Sequence, residues 1–145
     1  MAVRASREMT FDASPEAILD ALADVEDMAS WSTLHRRIEV LDRHPDGRPH
    51  HVKTTLRLMG VTDTEVLEYH WGPDWMVWDA EDTFQQRGQH GEYNLTRLGD
   101  QTQVRFDLTI DVGAPIPAFL KKRAKKMVLD VAIDRLRSVV TRNHG

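Results

Sequence analysis

Residues 117–143 read PAFLKKRAKKMVLDVAIDRLRSVVTRN, and the spacing of their apolar positions decides the fold. Ile116, Leu120, Ala124, Met127, Val128 and Val131 recur at three- and four-residue intervals, which places them on one helical face. Leu129, Ala132, Ile133, Leu136, Val139 and Val140 make a second stripe, rotated well over a quarter turn from the first. The pattern predicts a helix of roughly 25 residues, longer than the usual globular helix. It also predicts a bend, or a change of packing partner, near Leu129. A helix of this length needs a sheet to lie against.

The sequence upstream supplies one. Before the break at Gly113-Ala114-Pro115-Ile116-Pro117, Thr102 to Val112 alternates with period two, so Val104, Phe106, Leu108 and Ile110 share a side and should face the helix. Gly99-Asp100 forms the tight turn back to a strand from Gln89 to Leu98. Further strands run from Trp75 to Glu81 and from about Thr62 to Trp71, joined at Gly72-Pro73-Asp74. Two more, His51 to Leu58 and Ile38 to Arg43, flank the turn residues His44-Pro45-Asp46-Gly47-Arg48-Pro49. In the first of these, Val52, Thr54, Leu56 and Leu58 alternate with His51, Lys53, Thr55 and Arg57, one face buried and one wet.

At the N-terminal end, Arg4 to Phe11 reads as a strand with Met9 and Phe11 on one face. Ser14-Pro15-Glu16 then opens a helix. Ser14 can accept from a first-turn amide, Pro15 has the right φ for the first position, and Glu16 suits the positive end of the dipole. Ala17, Ile18, Ala21 and Leu22 give it an apolar face. Asp24 repeats the capping logic for a second short helix, on which Met28 and Trp31 point the same way. The predicted fold class is α+β: a curved antiparallel sheet of about seven strands around a long C-terminal helix, with two short helices after the first strand.

Composition narrows the function. At 145 residues the chain has the size of one domain,. A formal charge of -4 argues against a dedicated nucleic-acid binder,. With no cysteine, thiol catalysis, disulfides and thiolate metal sites are excluded,. Residues 1–8 lack the apolar core of a signal peptide, and no stretch approaches the ~20 apolar residues needed to span a bilayer. A cytoplasmic protein is expected.

In this order of elements the chain resembles the START-like (SRPBCC) superfamily, and within it the polyketide cyclase/dehydrase and lipid-transport family. The likeness is carried by the opening strand followed by Ala13-Ser14-Pro15-Glu16-Ala17-Ile18, the short helix ending at Met28-Ala29-Ser30-Trp31, and the turn at Gly72-Pro73-Asp74. The hairpin Leu98-Gly99-Asp100-Gln101-Thr102-Gln103-Val104 and the long last helix complete it. The resemblance covers essentially the whole chain and implies a helix-grip fold, one ligand-binding domain over residues 1–145, with an internal cavity of the kind the superfamily uses for lipids, polyketides and hormones. The resemblance transfers no catalytic role, not even onto Ser32-Thr33-Leu34-His35, and no cofactor is expected.

The candidate residues follow. Three of the four tryptophans crowd into Trp71, Trp75 and Trp78, and with Trp31 they can form either an aromatic ligand wall or core anchors. Cavity-lining candidates are Trp31, Trp78, Tyr93, Phe106, Leu120 and Met127, although the period-two repeat leaves the face of Trp78 open. Glu92 and Tyr93 point to opposite faces, and Tyr93 is the inward one because it is in phase with Leu95. Glu68, Asp79, Glu81, Glu92, Asp107 and Asp111 lie in strands, mostly on the wet face. His35, His44, His50, His51, His70 and His90 show no His-x-x-x-His pair on a helix and no carboxylate at a recognised spacing, so no metal site is expected. His35 and His70 remain acid–base candidates. Lys121, Lys122, Lys125 and Lys126 offer either a solvated face or a surface for an anionic head group, membrane or ribosome.

Three functions compete. The leading one is a carrier or sensor of a small hydrophobic molecule. The second is a cyclase, dehydratase or hydrolase working by orientation in a dry pocket, which would require a buried, partnered histidine or carboxylate in the cavity. The third is a toxin-like regulatory protein acting through the basic helix face.

Overall fold

Period-two alternation and short turns build one curved antiparallel sheet in the computed structural model, which describes residues 2–58, 60–80, 86–112 and 116–144. Its strands are β1 (Ala2–Phe11), β2 (His35–Arg43), β3 (Pro49–Leu58), β4 (Val61–Trp71), β5 (Trp75–Ala80), β6 (Gln86–Leu98) and β7 (Gln101–Val112). They are ordered β1-β7-β6-β5-β4-β3-β2. Six strands thus form a continuous meander, and β1 adds itself beside β7. Glu81 and the Gly113-Ala114-Pro115 break lie outside the described residues.

The helices are α1 (Pro15–Ala23) and α2 (Val25–Trp31), then α3 (Ala118–Leu129), which continues through a π-helical stretch at Asp130–Arg135 into α4 (Leu136–His144). Ser14 caps α1 as its sequence predicts, its hydroxyl accepting from the Ala17 amide at 3.2 Å. Asp24 does not repeat that bond. Its backbone amide donates to Asp20 O as the last link of α1, and its ψ of 62° departs from the extended conformation a capping side chain needs,. One residue ends one helix and starts the next, so it cannot serve both roles.

Cross-strand register sorts the sheet's faces. Phe11, Met9, Arg7 and Ala5 of β1 pair with Thr102, Val104, Phe106 and Leu108 of β7. The same face continues through Tyr93 and Leu95 of β6 and Met76 and Trp78 of β5, then Tyr69, Leu67 and Glu65 of β4, then Val52 and Thr54 of β3. Val104, Phe106 and Leu108 are buried and Ile110 is half-buried against the core. Leu19 of α1 is buried as well, widening the apolar face beyond the positions predicted for it.

The two stripes of the last helix are joined by the π-helical stretch, which begins directly after Leu129. Its wider i→i+5 bonding rotates everything downstream. Ala132, Ile133, Leu136 and Val140 of the second stripe belong to the core, whereas α3 carries no fully buried side chain. Three bonds hold the junction. The Tyr93 hydroxyl donates to Ala132 O at 2.8 Å, Arg7 pairs with Asp134 at 3.1 Å, and Arg135 donates to Trp31 O at 3.3 Å.

The two halves should therefore respond differently to truncation. Leu136→Ala removes a fully buried side chain and should cost about 2–5 kcal/mol, whereas Leu120→Ala on the half-exposed half should cost under ~1 kcal/mol. Urea denaturation of both variants measures the difference.

Candidate functional site

The inner face of the sheet is aromatic at its centre because β4, β5, β6 and β7 each place a ring there in register. Tyr69 is opposite Trp78, and Tyr93 is opposite Phe106. The Trp78 ring is 6.1 Å from that of Tyr69, 6.0 Å from Tyr93 and 6.1 Å from Phe106, and Tyr93 and Phe106 are 5.0 Å apart. These spacings are those of favourable offset and tilted pairs. Trp78 owes its place to a glycine. It pairs across the ladder with Gly91, where a Cβ would meet the indole Cζ2 at 2.0 Å.

A carboxylate interrupts this apolar face. Glu65, opposite Thr54 on β3, is only 2% exposed. It accepts a hydrogen bond from Gln89 Nε2, and the Trp78 indole donates to Gln89 Oε1 at 3.0 Å. Burial of an ionisable group is costly without such partners. Burial, and secondarily the charge of Glu65, raise the Tyr69 hydroxyl above the ordinary phenol range; burial, and secondarily Tyr69, do the same to Tyr93. Both phenols stay protonated. That of Tyr93 is engaged with Ala132.

Of the six lining candidates, the structure brings Trp78, Tyr93 and Phe106 into this one cluster. Trp31 packs on the same core from the end of α2. Leu120 and Met127 are half-exposed on α3 and, among the described residues, are not packed into the core. Neighbouring Phe119 is 72% exposed. The four lysines occupy α3, with Lys121 and Lys125 half-exposed and Lys122 and Lys126 exposed.

The other candidates lie elsewhere. Glu68, Asp79, Glu92 and Asp107 are out of phase with the inner face. Asp107 is held below the usual carboxylate range, chiefly by the Ser6 hydroxyl and then by Arg105. Asp111, in the same phase as Asp107, is half-exposed. His35 joins Ser32, whose Oγ is 2.5 Å from its Nδ1, and burial pushes the imidazole down to about 4, so it is neutral at pH 7. His70 faces outward near Glu68 and not toward the aromatic cluster. His44, His50 and His70, scattered in sequence, gather at one end of the sheet. Glu65 and Gln89 are the site residues that sequence reading missed. The signal was available, because Glu65 is in phase with Leu67 and Tyr69.

The family described as polyketide cyclase / dehydrase and lipid transport matches residues 2–142. Among solved structures, a START superfamily protein from Mycobacterium smegmatis superposes with a TM-score of 0.83 at 20% identity, covering 96% of this chain and 97% of that one. A protein from Thermus thermophilus superposes at 0.79 with 20% identity and full coverage of both chains. The Zhui aromatase/cyclase from a Streptomyces species does so at 0.78 with 14% identity, covering 100% of this chain and 97% of that one. No curated relative matches the sequence.

Two outcomes follow from the geometry. Gly91→Ala should displace the Trp78 indole, altering the near-UV circular dichroism of the aromatic cluster and costing about 1–3 kcal/mol in urea denaturation. The lowered His35 means the unfolded chain binds a proton that the folded chain refuses. Stability should be intact above the ordinary histidine value and fall as pH drops from about 6.5 toward about 4,. His35→Gln should flatten that part of the pH–stability curve, as thermal melts across the range will read.

Proposed function

The chain belongs to the polyketide cyclase/dehydrase and lipid transport family, and from that membership and the half-exposed apolar residues of α3 we propose that it binds a small hydrophobic molecule between the sheet and α3. The observation carrying this reading is the mismatch between the halves of the last helix. The π-helical stretch and α4 pack onto the core, while α3 presents Leu120 and Met127 without burying them. Val128 and Leu129 at the end of α3 do pack on the core, so the unburied apolar positions are Leu120 and Met127, and these are suited to contact an apolar guest. Glu65 and Gln89 would orient a hydroxyl or carbonyl on that guest, and the surrounding rings would supply stacking area. The START superfamily protein from Mycobacterium smegmatis shares this fold, which is consistent with the reading at the level of architecture.

A second reading, cyclase or dehydratase chemistry, is favoured by one feature, the buried Glu65 carboxylate. Within reach of a polyketide-like substrate it would serve as a general base, while Tyr69, kept protonated, would donate to a carbonyl. The Zhui aromatase/cyclase has the same fold, but fold alone does not carry its reaction to this chain.

An environment-sensitive hydrophobic dye should bind the folded protein and be displaced by fatty acids or aromatic polyketides. Leu120→Trp should weaken that binding while leaving stability within ~1 kcal/mol, because an uncrowded position tolerates added volume that a close-packed core resists. A dye that does not bind, or binds Leu120→Trp unchanged, overturns the binding reading. Glu65→Gln separates the two readings. Carriage alone predicts no turnover by either protein, whereas catalysis predicts turnover of a linear polyketide substrate that the substitution lowers by about 10²–10⁴-fold.

A further inference from the structure

The β2–β3 hairpin and the end of β4 bring together side chains that the interior does not use. His44 stands at the start of the hairpin turn, closed by His44 N donating to Arg48 O at 2.8 Å and by Gly47 at a φ of +90°. His50 lies just past that turn on β3, and His70 is near the end of β4. Their rings are close: His44 and His50 centroids are 4.2 Å apart, and His70 is 5.5 Å from each. One ring nitrogen from each of the three lies within 4.8 Å of the others.

We propose that His44, His50 and His70 form a binding site for a divalent transition-metal ion of the zinc class. Three neutral imidazoles suit zinc, nickel, copper or cobalt, and disfavour magnesium or calcium, which take oxygen ligands. Tetrahedral coordination at ~2.0–2.1 Å places ligand nitrogens ~3.4 Å apart, so the observed spacing needs only a small closure of side-chain rotamers. Polar groups stand beside all three rings, and His50 has a carboxylate near each of its nitrogens, one of which a bound metal would displace. His44 Nε2 lies 2.7 Å from Tyr69 O; as the donor to that carbonyl it leaves Nδ1 with its lone pair. Asp42 is 3.4 Å from His50 Nδ1, and Glu68 is 3.5 Å from Nε2 of both His50 and His70. A carbonyl hydrogen-bonded to one ring nitrogen, as for His44, fixes tautomer and ring orientation and raises ligand basicity, and the nearby carboxylates are placed to do the same for His50 and His70 once a metal is bound. His51, 3.0 Å from Asp42, holds that carboxylate in turn.

The site also has an open side. His44 and His70 border a surface recess of about 380 Å³ whose other walls include Trp71, Trp75 and Pro45. A fourth ligand, either water or the carboxylate of a small molecule, has room there. This places the metal site on the outer end of the sheet, separate from the interior proposed to hold the apolar guest.

Untagged protein titrated with Co²⁺ should show visible d–d absorption saturating at one equivalent and lost on adding Zn²⁺. His44→Gln and His70→Gln should each weaken Zn²⁺ binding by at least ~10-fold, while His90→Gln, on β6 beside Asp79 and Glu92, leaves it unchanged. On the parent chain, ring-nitrogen NMR should show Zn²⁺ shifting His44, His50 and His70 and sparing His35 and His90. The proposal falls if no saturable binding occurs, if both Gln variants bind as tightly as the parent, or if the perturbed rings are others. Dye binding in the interior should be unaffected, so this result and that of the interior stand apart.

Discussion

One sheet face has to be covered by the last helix with α1 and α2 beside it, and the π-helical stretch at Asp130–Arg135 decides how far the last helix's share of that cover reaches. Buried backbone groups must stay paired through such an irregularity, and the Tyr93 hydroxyl meets the Ala132 carbonyl there. The bond fixes the helix to the centre of the sheet. Downstream, Ile133, Leu136 and Val140 are driven into the core with essentially no exposure. Upstream, α3 leans along β1 and keeps its apolar stripe half-buried. Packed and unpacked regions of a single helix are thus set by a local change in its hydrogen bonding.

The same division governs electrostatics inside the sheet. A carboxylate buried beside the aromatic cluster needs a polar partner, and Gln89 gives it an amide that is itself steadied by the Trp78 indole. Trp78 in turn lies over Gly91. Glycine, indole, amide and carboxylate form a chain in which each member holds the next. The polar centre of the candidate site therefore depends on a residue with no side chain.

Much of this was legible in the sequence. The alternation of Val104, Phe106 and Leu108 gave both strand and face, and the shift of stripe at Leu129 located the helical irregularity to within a residue. Ser14 announced its helix start, while Asp24 misled because propensity does not reveal that one residue is shared by two helices. Glu65 was passed over although its phase was readable, since charged residues in strands are usually solvated. The approach of His44, His50 and His70 was not readable at all. It depends on the register between β2, β3 and β4, and on the irregular pairing at Asp42, which spacing along the chain does not encode.

That irregular pairing has a further effect. The sheet does not close on itself, so β1 and β2 each present an outer side. β2 breaks its ladder between Val40 and Asp42 and again between Asp42 and Arg43, and carries exposed Arg36, Arg37, Glu39 and Arg43. A twisted, charged border offers a poor template for another strand. On the opposite border, α3 lies along β1. Strand-by-strand growth into fibrils, the standing hazard of an open sheet, is obstructed at the β2 border, and the kinks that gather the histidines also help keep neighbouring molecules apart.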